Sequence, residues 1–163
     1  MKKVIIIGCP GSGKSTFARK LSAVKHLPLH HLDMLYWNSD RTTVERSVFD
    51  ERLKAVMAES EWIIDGNYAR TMEMRMKECD TVFFLDYPTE VCIEGITERR
   101  GKHRSDMPWV EADKADEEFV AFVNSFNTES RPKIITLLEK YASQDIIVFH
   151  SREDAEEYLL KLK

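Results

Sequence analysis

Apolar residues fall along the chain in short continuous runs, separated by stretches of helical spacing. Val4 to Ile7 is an unbroken β-branched run, the pattern of a strand covered on both faces. A turn follows from Gly8 to Gly13, and Lys14 to about Val24 predicts a helix with Phe17, Ala18 and Leu21 on one face. Leu27 to Leu32 predicts a short second strand, Trp62 to Asp65 a third, Thr81 to Leu85 a fourth and Ile146 to Phe149 a fifth. Between the second and third, Thr42 and Glu45 have the spacing of a capping box. The box would open a helix to about Glu59, with Val44, Val48, Phe49, Leu53, Val56 and Met57 at helical spacing. Pro88 suits the first turn of a helix running to about Arg100. Ser151 and Asp154 can cap a last helix that turns Ala155, Tyr158, Leu159 and Leu162 inward.

Strands alternating with helices imply right-handed crossovers and a parallel sheet. The expectation is one domain over residues 1–163, an α/β fold of three layers with a five-stranded parallel sheet and helices on both faces. One stretch departs from the alternation. Glu98 to Glu118 is dense in charge, poor in aliphatics and contains Pro108, which predicts an exposed, mobile insertion, a small lid over about 99–118 at the sheet's functional edge.

Composition narrows the class. The 163 residues, 43% hydrophobic and 32% charged, read as one globular domain. A net charge of -4 gives no global attraction to nucleic acid or anionic lipid, so any basic site is local and direct nucleic-acid binding is not expected. The apolar runs are too short to cross a bilayer, and the run ending at Gly8 is too short for a signal-peptide core; a cytoplasmic monomer or weak dimer is expected. The cysteines Cys9, Cys79 and Cys92 fit neither a disulfide framework nor a metal site. Cys79 and Cys92 suit the core or its edge; Cys9 lies in the glycine-rich turn, where nearby amides and Lys14 could favour its thiolate, although that position tolerates many residue types.

The candidate chemistry begins in that turn. Gly8-Cys9-Pro10-Gly11-Ser12-Gly13-Lys14-Ser15 matches G-x-x-x-x-G-K-[ST], with a buried strand before it and a helix after it. Glycines let successive N–H groups point at phosphate oxygens, and the helix adds its N-terminal partial charge. Gly8, Pro10, Gly11, Ser12, Gly13, Lys14, Ser15 and Thr16 are therefore candidates to bind ATP or another nucleoside triphosphate. Lys14 would reach the β and γ phosphates and Ser15 would ligate Mg2+; by similarity to related loops, Thr16 would contact the α phosphate.

Ligands of such sheets gather at the strands' carboxyl ends. Asp33, Asp65 and Asp86 stand there. Asp65, closing an apolar run, suits Mg2+ directly or through water. Asp33 suits an acceptor, by orienting its hydroxyl, or the metal; Asp86 reads as a helix cap. His30 and His31 face opposite ways on a strand, so they do not share a zinc ion; one of them can line the acceptor pocket. Tyr36 and Trp37 either line that pocket or cover its wall. Gly66, Asn67 and Tyr68 allow close backbone approach and hydrogen bonding to a ligand, though a plain turn reads the tripeptide equally well. Phosphoryl transfer needs cations on the migrating group. Arg70, Arg75 and the run Arg99, Arg100, Lys102, His103, Arg104 supply them, and a closing lid would deliver a catalytic arginine from that run. A solvated charged arm is the alternative reading.

These residues resemble, in order and over nearly the whole chain, the adenylate kinase-like group of P-loop kinases, and within it the FlaR-type DNA topology modulation proteins. Gly8 to Thr16, Asp33-Met34-Leu35, Asp65-Gly66, Leu85-Asp86-Tyr87-Pro88 and Arg99-Arg100 carry the resemblance. It implies a P-loop NTPase fold with a lid, and transfer of the ATP γ-phosphate to a small-molecule acceptor. It implies a lid arginine at Arg99 or Arg100 and a further arginine at Arg131. The chain departs from adenylate kinases in having Tyr36 and Gly95 where arginines stand, and Arg70 one place later than expected. These departures point away from AMP as acceptor and toward loose base selectivity. The alternative expectation is a nucleotide-dependent switch or slow ATPase acting on a protein or DNA-linked partner, with any effect on DNA topology indirect.

Overall fold

The apolar runs pair with one another. In a computed structural model, which describes residues 1–110 and 116–162, β1 (Lys3–Gly8), β2 (Leu29–His31), β3 (Trp62–Asp65), β4 (Thr81–Leu85) and β5 (Asp145–Phe149) form one five-stranded sheet. The order is β2-β3-β1-β4-β5 and every pairing is parallel. Successive strand residues point to opposite faces, yet every residue of β3 and β4, and Val4 to Gly8 of β1, is buried. Both faces of the central sheet are therefore covered, as the β-branched runs require.

The strand order makes β1 a switch point. The chain leaves β1 for β2, returns to β3 on the same side, then crosses to β4 on the other side of β1. Diverging connections leave a crevice at the carboxyl ends of the strands. Register sets which side chains meet there: His31 and Ile6 both stand opposite Asp65, and Gly8 opposite Leu85.

The helices are α1 (Lys14–Lys25), α2 (Leu32–Tyr36), α3 (Arg46–Met57), α4 (Ala69–Glu78), α5 (Thr89–Glu98), α6 (Glu117–Ser125), α7 (Arg131–Lys140) and α8 (Arg152–Lys161). A π-helical turn, Phe126–Ser130, joins α6 to α7. α1 buries Phe17, Ala18 and Leu21, and α8 begins with the expected box: Asp154 N–H donates to Ser151 Oγ at 3.1 Å and Ser151 N–H to Asp154 Oδ2 at 3.1 Å. None of the described helices is long and apolar enough to cross a membrane.

Several elements differ from expectation. The second strand is only Leu29–His31, because Leu32 already opens α2. The box at Thr42 does not form. Asp40 accepts both the Thr42 N–H at 3.0 Å and its hydroxyl at 2.6 Å, so α3 starts later, after an uncapped Glu45. Pro88 precedes α5 rather than opening it. The 99–118 stretch is not all exposed: Asp106 and Met107 are only 3% and 7% exposed, with Asp106 held by Arg104 and facing Arg19 of α1, while 111–115 lie outside the described residues.

Cys9 is also corrected. It is buried, and a hydrogen bond with Cys92 together with burial pushes its thiol well above the usual range, the opposite of an activated thiolate. This contact belongs to a close approach of α5 to the glycine-rich turn. A Cβ on Gly95 would lie 2.0 Å from Gly11 O, and one on Gly11 2.0 Å from Cys92 O, with Gly11 itself at φ 85°. Gly95 is thus a packing requirement where a side chain has no room. Gly95→Ala should lower stability by about 1–3 kcal/mol by overpacking; a urea unfolding midpoint equal to wild type would show that α5 retreats freely.

Candidate functional site

The turn between β1 and α1 is held open from two sides. Asn67 pairs with Gly8 through both amide atoms: its Oδ1 accepts from Gly8 N–H at 3.0 Å and its Nδ2 donates to Gly8 O at 2.7 Å. At the other end, Gly13 precedes α1 with no side-chain cap and no acidic residue in the first turn. The uncapped N–H groups leave a concentration of positive partial charge facing the crevice. Lys14 bends back over the turn, donating from Nζ to Cys9 O at 3.0 Å, and desolvation pushes its ammonium below the usual lysine value. Ser12 Oγ is buried with no hydrogen-bond partner among the described residues.

Asp65, 5% exposed at the end of β3, faces that turn. Its Oδ2 accepts from Ser15 Oγ at 2.7 Å and from His31 Nδ1 at 2.8 Å, while its Oδ1 is buried without a partner among the described residues. His31 does not line the cleft, so the expected pocket histidine is instead a support for Asp65. His30 points the other way, within 3.3 Å of Glu59 Oε2, as alternation on a strand requires.

Across the crevice, Tyr68 donates from its hydroxyl to Asp33 Oδ1 at 2.6 Å. Burial raises the Asp33 carboxyl above the ordinary carboxylate value, more than the Tyr68 hydrogen bond lowers it. Tyr68 itself sits at φ 41°, a left-handed conformation uncommon for a non-glycine. Beneath it, fully buried Arg75 donates to the carbonyls of Gly66 (2.9 Å), Asn67 and Tyr68 (3.3 Å) and so gathers three successive carbonyls around one cation. Burial brings the Arg75 guanidinium down to about 10.

These groups share an open cleft of about 1470 Å³, lined among others by Pro10 to Thr16, Asp33, Trp37, Asp65 to Tyr68, Arg99, Arg100 and Arg104. Arg99 lies over the Phe119 ring at 5.4 Å. Arg104 grips Asp106, Nε to Oδ1 at 3.1 Å with a second contact from Nη2. Burial works against the charge on Asp106, but Arg104 holds its carboxyl well below the usual range. Arg19 ties this segment to α1, reaching Thr16 Oγ1 at 3.2 Å, Ser105 Oγ at 3.3 Å and Asp106 Oδ1 at 3.9 Å. At the mouth, Trp37 meets Trp109 edge-on at 5.8 Å, and Arg41 lies over Trp109 at 5.1 Å.

Five expected site residues lie outside the cleft lining: Gly8 is paired with Asn67, and Arg75, expected to supply a cation, is buried on the loop carbonyls. Tyr36 and Arg70 line a smaller neighbouring hollow of about 310 Å³, where Arg70 is paired with Asp50. Arg131 lies outside the cleft lining and holds Asp86 bidentately, at 2.7 Å to each oxygen. That pairing replaces the cap expected of Asp86: α5 has no side-chain cap. No protein-family model matches the chain, and neither does any curated protein sequence.

Sequence reasoning missed the roles of His31, Arg75 and Asp106. His31 could have been found from its alternation against Glu59-facing His30; Arg75 shares the face of Met72 and Met76 at helical spacing, where a charged residue reads as a break in the stripe.

The Asp33 environment sets a pH dependence. A carboxyl raised in the folded state makes the native protein hold more protons than the unfolded chain, so stability falls as pH rises from the unfolded value near 3.8 through the folded one. Asp33→Asn should therefore raise the urea midpoint at pH 7, with the gain vanishing below about pH 3.8. A midpoint unchanged or lowered at pH 7 would mean that Asp33 is not held at a cost.

Proposed function

We propose that the chain is a P-loop phosphotransferase that binds ATP or a similar nucleoside triphosphate and passes the γ-phosphate to a small acceptor. The observation that carries this reading is the Ser15–Asp65 hydrogen bond of 2.7 Å at the β1 switch point, beside an uncapped α1 and within the Lys14 turn. Backbone N–H groups, a lysine and a hydroxyl backed by a carboxylate are the donor set that phosphates with a divalent cation require.

Mg2+ fits the residues present. It favours hard oxygen ligands, keeps several waters and needs few protein donors. Ser15 Oγ and Asp65, whose Oδ1 is a buried acceptor without a partner among the described residues, would hold it. When bound, Mg2+ would neutralise charge on the phosphates.

The remaining roles fall to side chains of the cleft. Lys14 and the first turn of α1 would hold the phosphates. Arg99, Arg100 and Arg104 would meet the charge on the migrating group, since all three line the cleft. Asp33, made more basic by burial, would orient the acceptor hydroxyl and take its proton; Tyr68 occupies one Asp33 oxygen and leaves the other to the acceptor. Arg70 is paired with Asp50 away from this cleft, which favours an acceptor hydroxyl on a molecule of low charge.

The test is ADP release with Mg2+ and ATP, screened against nucleosides, nucleotides, sugars and small acids. At least one acceptor should raise turnover, and Lys14→Ala should lower it by about 100-fold or more. Hydrolysis that ignores every small acceptor but responds to a protein or DNA would overturn the kinase reading in favour of a switch.

A further inference from the structure

A carboxylate can turn about its terminal bond, so which oxygen faces a ligand depends on what holds the other. For Asp65 both holders are on Oδ2, Ser15 Oγ at 2.7 Å and His31 Nδ1 at 2.8 Å. An ionised carboxylate only accepts, so the Nδ1–H of His31 donates. The imidazole comes from the neighbouring strand, at the register position directly opposite Asp65, and its side chain is 11% exposed. It is therefore set by the β2–β3 ladder rather than by a loop. His30, the adjacent residue, is directed to Glu59 and cannot take over the role. Asp65 Oδ1 is left buried with no partner among the described residues, an acceptor that costs free energy until something satisfies it.

We infer that His31 is a positioning residue for the cation: it pins Asp65 Oδ2, so that Oδ1 is presented to Mg2+ or to a water on it. This rests on the phosphotransferase reading, in which Asp65 and Ser15 face the metal. Ser15, in the first turn of α1, is itself a proposed ligand of the cation, so its hydroxyl is not a holder independent of the metal. His31 supplies the second, ligand-independent donor. Outer hydrogen-bond partners of this kind govern metal affinity through the orientation of the ligand they hold.

The test is Mn2+ binding followed by electron paramagnetic resonance, in the presence of a non-hydrolysable ATP analogue. The variants are His31→Asn, whose amide nitrogen falls near Nδ1, and His31→Gln and His31→Leu, which place no donor there. His31→Gln and His31→Leu should weaken Mn2+ by about 10- to 100-fold, with His31→Asn within about threefold of wild type. Affinity for the analogue in EDTA should not change in any of them. His31→Gln keeps a polar side chain of similar size, so the comparison survives if His31→Leu folds poorly. Equal Mn2+ affinity in wild type and His31→Gln, or an equal loss in His31→Asn and His31→Gln, would overturn the inference. Wild type that takes up no Mn2+ with the analogue would instead overturn the phosphotransferase reading on which it stands.

Discussion

The cleft depends on one buried carboxylate. Asp65 is 5% exposed, and its hydrogen bonds join three elements that the chain delivers separately: β3 carries it, α1 reaches it through Ser15 and β2 through His31. A carboxylate without such donors would be costly at this depth. With two donors on one oxygen, the cost is confined to Oδ1, the atom the proposed cation would take. Burial opposes charge at Asp33 as well, so both carboxylates of the cleft are held at a cost.

The two halves of the cleft are mechanically linked through residues 66–68. Arg75 collects their carbonyls from inside the core, and Tyr68 within the loop is left-handed. From the same segment, Asn67 locks the first residue of the glycine-rich turn, and Tyr68 locks Asp33. One short loop thus positions the glycine-rich turn and Asp33 together, and its geometry is set by a buried cation that bonds to neither. On the opposite side α5 presses against Gly11 through Gly95, so the turn is confined from both flanks. A site built on strand ends and buried clamps keeps its geometry better than one built on free loops.

Much of this was legible in the residues. The strands were read because buried parallel strands are continuous apolar runs, and Trp62–Asp65 and Thr81–Leu85 match to the residue. The turn from Gly8 to Ser15 was read because its motif requires a strand before it and a helix after it, and both are present. What was hidden had a common cause: polar side chains whose partners are distant in the chain. Arg75 hid α4 because a charge on the inward face looks like an interruption, although its charge is spent on three carbonyls. Thr42 was misread because Asp40, two residues before it, outcompetes a helix for its hydroxyl. Arg70 and Arg131 were assigned to the cleft by position in the chain, and Asp50 and Asp86 claim them. Local rules see periodicity and caps; they do not see which carboxylate the fold will bring to an arginine.

The proposed function requires the crevice at the end of β1 to hold a triphosphate together with a divalent cation. Isothermal titration with a non-hydrolysable ATP analogue, with and without Mg2+, tests it most directly. One site per chain is expected, tighter with Mg2+, with no detectable heat for Lys14→Ala. Absence of binding to wild type at millimolar analogue, or binding that Lys14→Ala leaves intact, would contradict it.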